Sequence, residues 1–128
     1  MPKQVDPQDL DKKRLELALD AARLGEFEWD MVRDVLCVSD RMAGLTGLPA
    51  GELPARGGQA LYELVSGGDR DSSRRRAEEG LRKDGRFQLE FRLAGGGTEE
   101  RWMRLAGLLV RDERGQPISV CGVAQDVT

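Results

Sequence analysis

Alternation of apolar and polar residues marks the last third of the chain. Residues 87–93, FQLEFRL, follow the period-two pattern of a strand that buries one face. Two longer strands are predicted at 101–111 and 117–126, and glycine-containing turns at 95–97 and 112–116 separate the three. Because short turns join antiparallel neighbours, this third of the chain predicts three antiparallel strands.

A second, shorter group of strands is predicted near the N-terminus. Residues 26–30, EFEWD, alternate in the same way, and residues 35–38, VLCV, form a short apolar run after a polar turn. The two segments predict a hairpin. Between the two strand groups, capping residues and glycines delimit a loop at 48–58 and short helices at 39–47, 59–65 and 70–83.

One helix precedes the first strand. Asp6 and Pro7 favour a helix start, and helix formers continue to Leu24. Its apolar residues recur at roughly heptad spacing, and a second row widens the stripe: Leu10, Leu17, Ala21 and Leu24, then Leu15, Ala18, Leu19 and Ala22. This pattern is compatible with a helix that lies on its own domain and with one that also packs against a partner chain.

The order of the elements predicts an α+β fold. A helix, two strands, a run of short helices and three strands give an antiparallel sheet with the short helices over one face. The N-terminal helix is then free to cover the other face. A length of 128 residues is enough for one such domain and too short for two.

Composition and charge indicate where this domain is located and which partners it is expected to lack. The chain is 39% hydrophobic and 34% charged with a net charge of −3, as expected of a globular domain with a charged surface. No apolar run reaches the about 20 residues of a membrane span, and the polar N-terminus does not resemble a secretory signal, so we expect a cytoplasmic location. The basic cluster 74–76 lacks interleaved aromatics, which favours a solvated helix face over nucleic-acid binding.

The chain contains no histidine, which limits the chemistry available to it. Histidine-activated nucleophiles, histidine-ligated haem and most zinc sites are excluded, so we expect no enzymatic activity. Cys37 and Cys121 have no metal-ligand spacing and are predicted on the second and last strands. With one strand between them they would lie about 9.5 Å apart, too far for a disulfide, and small core side chains are their expected role.

Several segments, in order, resemble the PAS domain of the sensory box type found in bacterial sensor histidine kinases and diguanylate cyclases or phosphodiesterases. They are GEFEWD (25–30), LTGLPAGEL (45–53), GRFQLEFRL (85–93), RWMR (101–104) and VRDERGQPISVCGVAQDVT (110–128). The resemblance covers about residues 15–128. One departure is Ser66-Gly67, where the family often has His-Pro.

The resemblance implies a PAS fold over residues 25–128, with residues 1–24 as a flanking helix. It implies a five-stranded antiparallel sheet of order 2-1-5-4-3, with a ligand cavity between the sheet and the short helices. The N-terminal helix would lie on the other face or at a homodimer interface. The residues expected to line the cavity and bind a ligand are Trp29, Met42, Leu61, Tyr62, Phe87, Leu89, Phe91 and Trp102.

The same resemblance implies a sensory module that passes a signal to a C-terminal effector domain. The residues expected to relay it are Glu90, Arg92, Arg104, Asp126 and Thr128. Glu90, Arg92 and Arg104 would either meet a polar ligand or form an ion-pair ladder on the outer face. Since Asp126-Val127-Thr128 matches the point where the family continues into a connecting helix, we expect the sequence to be part of a longer signalling protein.

The cofactor is left open by the sequence. Besides histidine-ligated haem, attached haem and a cysteine-adduct flavin are argued against, because neither of their cysteine motifs is present. A ligand-free dimerisation and relay module is the alternative function. A small enzyme that uses carboxylates is a third, and it predicts two converging acids with raised pKa.

Overall fold

Six antiparallel strands form one open sheet in this computed structural model, which describes residues 6–53, 57–95 and 100–128. The strands are β1 (Gly25–Asp30), β2 (Val35–Val38), β3 (Gly51–Leu53), β4 (Arg86–Arg92), β5 (Trp102–Arg111) and β6 (Pro117–Asp126). Their order across the sheet is β3-β2-β1-β6-β5-β4. The first and last strands along the chain, β1 and β6, are therefore paired at the centre of the sheet.

The α+β class and the order of the five expected strands are confirmed. The predicted order 2-1-5-4-3 corresponds to β2-β1-β6-β5-β4. The predicted strand count is wrong by one, because β3 pairs with the free edge of β2 inside the segment expected to be a loop. Three residues are too few to show an alternating pattern. Hydrogen bonding to β2, rather than the local sequence, therefore makes this segment a strand. Part of the expected turn at 95–97 lies outside the described residues.

Four helices accompany the sheet in the described ranges: α1 (Pro7–Ala21), α2 (Asp40–Thr46), α3 (Gly57–Glu63) and α4 (Arg70–Asp84). Ser39 begins α2 by accepting a hydrogen bond from the Met42 amide, and Gly47 ends it in the left-handed conformation that favours glycine. A single 3-10 turn, Gly67–Asp69, leads into α4. Within these ranges, no helix combines the length and apolar character that a membrane crossing requires.

The core lies between one face of the sheet, here called the inner face, and helices α2 to α4. Inner-face side chains alternate with solvent-facing ones, as in β4, where Leu89 and Phe91 are buried and Gln88 and Glu90 are exposed. The most completely buried large side chains are Leu36, Met42, Met103 and Val120. This is the layering expected when short helices cover one side of an antiparallel sheet.

Helix α1 lies on the opposite side, along the outer face of the sheet. Leu15 and Leu19 form one wall of an open groove whose floor includes Cys37, Leu108 and Cys121. None of the α1 side chains is buried. Helix α1 therefore lies on the outer face, which is one of the two positions expected for it, but it buries no side chain against its own domain.

Cys37 and Cys121 flank the central strand β1 on the outer face. Glu28 is in register with Cys37 on one side and with Cys121 on the other. Both cysteines are free thiols. Burial, followed by the charge of Glu52, raises the pKa of the Cys37 thiol, so this group stays protonated at neutral pH.

Candidate functional site

A small cavity lies in the core between α3, α4 and the inner faces of the central and β4-side strands. Its volume is about 30 Å³, far below the roughly 300 Å³ of pockets that hold drug-sized ligands. Its lining side chains are almost all apolar. They include Leu61 and Tyr62 of α3, Ala77 and Leu81 of α4, Phe87, Leu89 and Phe91 of β4, Leu105 of β5 and Val120 of β6. The core is thus nearly filled by its own side chains.

Six of the eight residues expected at the ligand site line this cavity: Trp29, Leu61, Tyr62, Phe87, Leu89 and Phe91. Met42 is fully buried elsewhere in the core, where its backbone packs against Gly25. The expected cavity position of Trp102 is wrong. Its side chain is 41% exposed on the outer face, because the alternation along β5 turns the neighbouring Met103 inward instead.

The Trp29 side chain is held by an acid in the β1–β2 turn. Its indole N–H donates to the Asp34 carboxylate at 2.7 Å, and the Gly58 amide donates to the same oxygen at 3.0 Å. These two hydrogen bonds, from Gly58 and then from Trp29, hold the pKa of Asp34 below its usual value. Asp34 has a positive φ of 52°, which aspartate tolerates better than most residues. One carboxylate thereby joins the hairpin, the cavity wall and the start of α3.

The two glycines that open α3 allow its backbone to rest on the Trp29 ring. A Cβ at Gly58 would lie 2.7 Å from Trp29 Cζ2, and one at Gly57 would lie 2.8 Å from Trp29 Cδ1. Both distances are too short for real atoms, so only glycine fits at these positions. The sequence analysis missed this contact, although the Gly-Gly pair at the start of a predicted helix is a signal of close backbone approach.

A polar cluster closes the cavity on the side between α3 and α4. The Tyr62 hydroxyl and the Arg74 guanidinium both donate to Glu78 Oε1, at 3.5 and 3.1 Å. The Arg74 guanidinium also lies over the Tyr62 ring, 5.0 Å from its centre. Burial, with a further contribution from Glu78, raises the pKa of Tyr62, so its hydroxyl remains protonated in this cluster.

Three of the expected relay residues lie on the outer face, at the edge formed by β4 and β5. Glu90 and Arg104 are in register and form an ion pair, with Arg104 Nε donating to Glu90 at 2.9 Å. Arg92 pairs with Glu100 at 3.0 Å rather than with Glu90. Of the two alternatives, the outer-face ion pairs are therefore the observed one, and none of these residues reaches the cavity.

The other two expected relay residues tie the end of β6 to the start of β5. Asp126 accepts hydrogen bonds from the Thr128 amide at 2.9 Å and from Arg101 at 3.2 Å. The Trp102 amide donates to Thr128 Oγ1 at 2.9 Å. The Thr128 contacts, followed by the Arg101 contact, hold the pKa of Asp126 below its usual value. We call this set, residues 101–102 and 126–128, the C-terminal junction.

Comparison with known proteins agrees with this architecture. A family model described as "PAS fold" matches residues 35–124. A sensory box histidine kinase/response regulator structure from Burkholderia thailandensis aligns with a TM-score of 0.72 and 21% identity, over 90% of this chain and 85% of that chain. A PAS domain from Colwellia psychrerythraea aligns with a TM-score of 0.69 and 18% identity, over 94% and 98% of the two chains.

A third similar structure is the N-terminal domain of a diguanylate cyclase with PAS/PAC sensor from Marinobacter aquaeolei. It aligns with a TM-score of 0.67 and 12% identity, over 81% of this chain and 94% of that chain. No curated protein sequence matches the chain. The family model spans most of the chain, and the sheet order and the helix-covered inner face agree with it. The chain belongs to the PAS fold family and is a sensory signalling domain.

Proposed function

We propose that this domain relays a change in its core to a C-terminal effector through β5, β6 and the C-terminal junction. The observation that carries the proposal is the set of hydrogen bonds between Asp126, Thr128 and the residues that open β5. Because these bonds fix residue 128 to the sheet, a displacement of either strand is transmitted to whatever follows. The signal leaves the domain at that point.

The cavity and the junction share two strands, which supports a connection between them. Leu105 of β5 and Val120 of β6 line the cavity. Trp102 is the first residue of β5, Arg101 precedes it, and Asp126 is the last residue of β6. Since adjacent strands are joined by a continuous ladder of hydrogen bonds, a shift at the cavity changes the register or twist felt at the junction.

The effector is proposed to be a histidine kinase or a nucleotide cyclase module. The similar solved structures come from a sensory box histidine kinase/response regulator and from a diguanylate cyclase with PAS/PAC sensor. A sensory domain can shift the activity of an effector only when the two conformations of the domain interact differently with the effector. The two free thiols suit a reducing compartment, and we propose a cytoplasmic location.

Asp126→Ala tests the relay. We expect the fold to remain, with a loss of less than about 1 kcal/mol, since the Asp126–Arg101 pair is one-third exposed. Exchange of the Trp102 amide should accelerate by about 5-fold as the junction loosens. Fused ahead of a histidine kinase core, the variant should alter the autophosphorylation rate, measured with radiolabelled ATP.

Glu113→Ala is the matched control, because Glu113 is an exposed acid in the β5–β6 turn, at the opposite end of these strands. It should change neither the Trp102 exchange rate nor kinase output. Unchanged kinase output in the Asp126→Ala fusion, despite faster exchange at Trp102, would sink the proposed route.

We propose that the domain itself is not catalytic. An enzyme based on carboxylates needs an acid with a raised pKa to donate or accept protons near neutral pH. Within residues 6–53, 57–95 and 100–128, the two acids whose pKa is displaced, Asp34 and Asp126, are both shifted downward. Both carboxylates act as hydrogen-bond acceptors at structural joints.

Helix α1 is proposed to pair with α1 of a second copy, with residues 1–24 as the flanking segment and residues 25–128 as the domain. Leu15 and Leu19 face the outer-face groove, whereas Leu17 is 69% exposed. Leu10 and Leu17 share the heptad-spaced stripe, which would form the seam between two α1 helices. Burial of the stripe in a dimer would remove these leucines from water.

Leu17→Glu should weaken this dimer. Removing one leucine from each copy should raise the dimer dissociation constant by about 100-fold, measured by sedimentation equilibrium. Val32→Glu is the control, because Val32 is 76% exposed in the β1–β2 turn, away from the helix stripe. Equal dissociation constants for the Leu17→Glu variant and the unmodified chain would rule out this seam.

A further inference from the structure

The outer-face groove between α1 and the sheet leaves large apolar side chains in contact with water. Leu15 on the α1 wall is 60% exposed, and Leu108 on the floor is 56% exposed. The remaining floor includes Cys37, Cys121 and Val123, and the groove has a volume of about 580 Å³. Scattered surface leucines need no explanation, but two of them in one groove of this size mark a surface suited to a partner.

The rim of this groove is acidic. Glu26 and Glu28 of β1 line its main part. Past Leu19 the groove continues into a second part, where the exposed acids Glu16 and Asp40 lie. Within the part of the chain that the structure describes, the carboxylates of Glu16, Glu26 and Asp40 form no ion pair. The acidic rim, defined by these four acids, therefore presents negative charge that the domain itself does not neutralise.

Compensating positive charge is scarce along the groove. Among the described residues that line its two parts, the one cation is Arg41, which is paired with Asp20 at 2.8 Å. The next cation lies past Leu108, where the floor extends to Arg86 on β4. The charge next to α1 is thus of one sign and favours a cationic partner.

The backbone of the floor strands decides the conformation of that partner. Strand β1 is paired on both edges, with β2 and β6, and β6 is paired with β1 and β5. An extended peptide laid over these strands would find no free backbone groups and would leave its own amides without partners against apolar side chains. An α-helix satisfies its backbone hydrogen bonds internally. A helix is therefore the segment that this surface can accept.

We propose that the outer-face groove docks a cationic amphipathic α-helix of another protein. The apolar stripe of the helix would cover Leu15 and Leu108, and its lysines or arginines would face the acidic rim. Helix α1 of a second copy is a poorer match, because it carries four acids and three bases. The net charge of the chain, −3, also opposes a second copy at an acidic surface.

This docking surface goes beyond the proposed relay and is separate from the proposed dimer seam. Leu15 lies about half a helical turn from Leu17, so the stripe of Leu10 and Leu17 stays free when the groove is occupied. The residues of the C-terminal junction line neither part of the groove. Each of the three proposals can therefore fail without the others.

Calorimetric titration of the full 128-residue chain with a synthetic helix tests the inference. The probe is a peptide of about 15 residues with leucine at every third or fourth position and lysine at the flanking positions. We expect saturable binding of one peptide per chain. The same peptide with glutamate in place of each lysine should bind about 10-fold more weakly or worse.

Two variants locate the binding in the groove. Glu26→Gln combined with Glu28→Gln should weaken binding of the lysine peptide by about 2- to 30-fold, the effect of two exposed charge pairs. That difference should shrink as salt is raised from about 0.05 to 0.5 M. Leu108→Ala should weaken binding by about 5-fold, since it removes an apolar contact.

Glu113→Gln combined with Asp71→Asn is the matched control, because it removes the same charge from exposed acids that do not line the groove. It should leave the peptide affinity unchanged. No saturable binding of the lysine peptide, or equal weakening by the groove and control variants, would overturn the proposal. A rise in the dimer dissociation constant of the unliganded chain on Leu108→Ala, measured by sedimentation equilibrium, would assign the groove to a second copy and would also overturn it.

Discussion

Gly122→Ala is expected to lower the free energy of unfolding by about 3 kcal/mol, the upper range for overpacking a well-filled core. Gly122 lies in the middle of β6, directly opposite Gly107 of β5. A Cβ at Gly122 would overlap the Ala106 carbonyl oxygen and the Phe27 ring. The carbonyl belongs to the sheet backbone and cannot rotate away. Urea unfolding followed by circular dichroism measures the loss.

Gly44→Ala provides the matched control for this glycine. Gly44 is an exposed residue within α2, and a Cβ there would meet no atom within 4 Å. Alanine should therefore stabilise the helix by about 0.5–1 kcal/mol. The two substitutions add the same methyl group and should act in opposite directions. A Gly122→Ala protein as stable as the unmodified chain would show that the sheet centre is less tightly packed than described.

Trp29→Ala is the second substitution with a large expected effect, also about 3 kcal/mol. The ring fills the space between the sheet and α3, and its N–H is a partner of Asp34. Its removal leaves a void beside Gly57 and Gly58, which have no side chains to fill it. Trp102→Ala is the control and should cost less than Trp29→Ala, because Trp102 is 41% exposed. A larger loss for Trp102 than for Trp29 would contradict this assignment of the two rings.

Trp29→Phe separates the ring from its hydrogen bond. Phenylalanine keeps most of the packing but removes one donor to Asp34, so the pKa of Asp34 should return partway toward 3.8. When folding lowers the pKa of an acid, the charged acid stabilises the folded state at a pH above its unfolded-state pKa. This stabilisation is lost as the pH falls through the folded-state pKa. The stability gap between the unmodified chain and Trp29→Phe should therefore narrow below about pH 3.8. A gap that does not vary with pH would assign the whole effect to packing.

Local sequence patterns were enough to predict five strands of the sheet, but not their order across it. The alternation in 87–93 identified β4 and its buried face, because that pattern depends only on which side chains are apolar. Strand β3 was not predicted, because three residues are too few to show an alternation of apolar and polar side chains. Its pairing with β2 also depends on a contact between separate segments, which local sequence does not indicate. The family resemblance supplied the strand order that the pattern alone left open.

The candidate site was predictable where a side chain's role follows from its strand position. Four cavity residues, Trp29, Phe87, Leu89 and Phe91, lie on strands and fit this rule, whereas Leu61 and Tyr62 lie on helix α3. Trp102 was misplaced, because the adjacent apolar residue Met103 takes the inward position on β5. Asp34 and Gly58 were missed. Their roles depend on contacts between segments that are far apart in sequence, such as the Asp34–Gly58 hydrogen bond, and no local pattern marks these contacts.

The open sheet leaves two edges, and both are poor templates for another strand. At one edge, β3 offers only three residues, and it begins at Gly51 in a positive-φ conformation. At the other, the outward side chains of β4 include Arg86, Glu90 and Arg92, which would have to be desolvated in an extended sheet. The domain should therefore resist edge-to-edge pairing of its sheets into fibres at high local concentration.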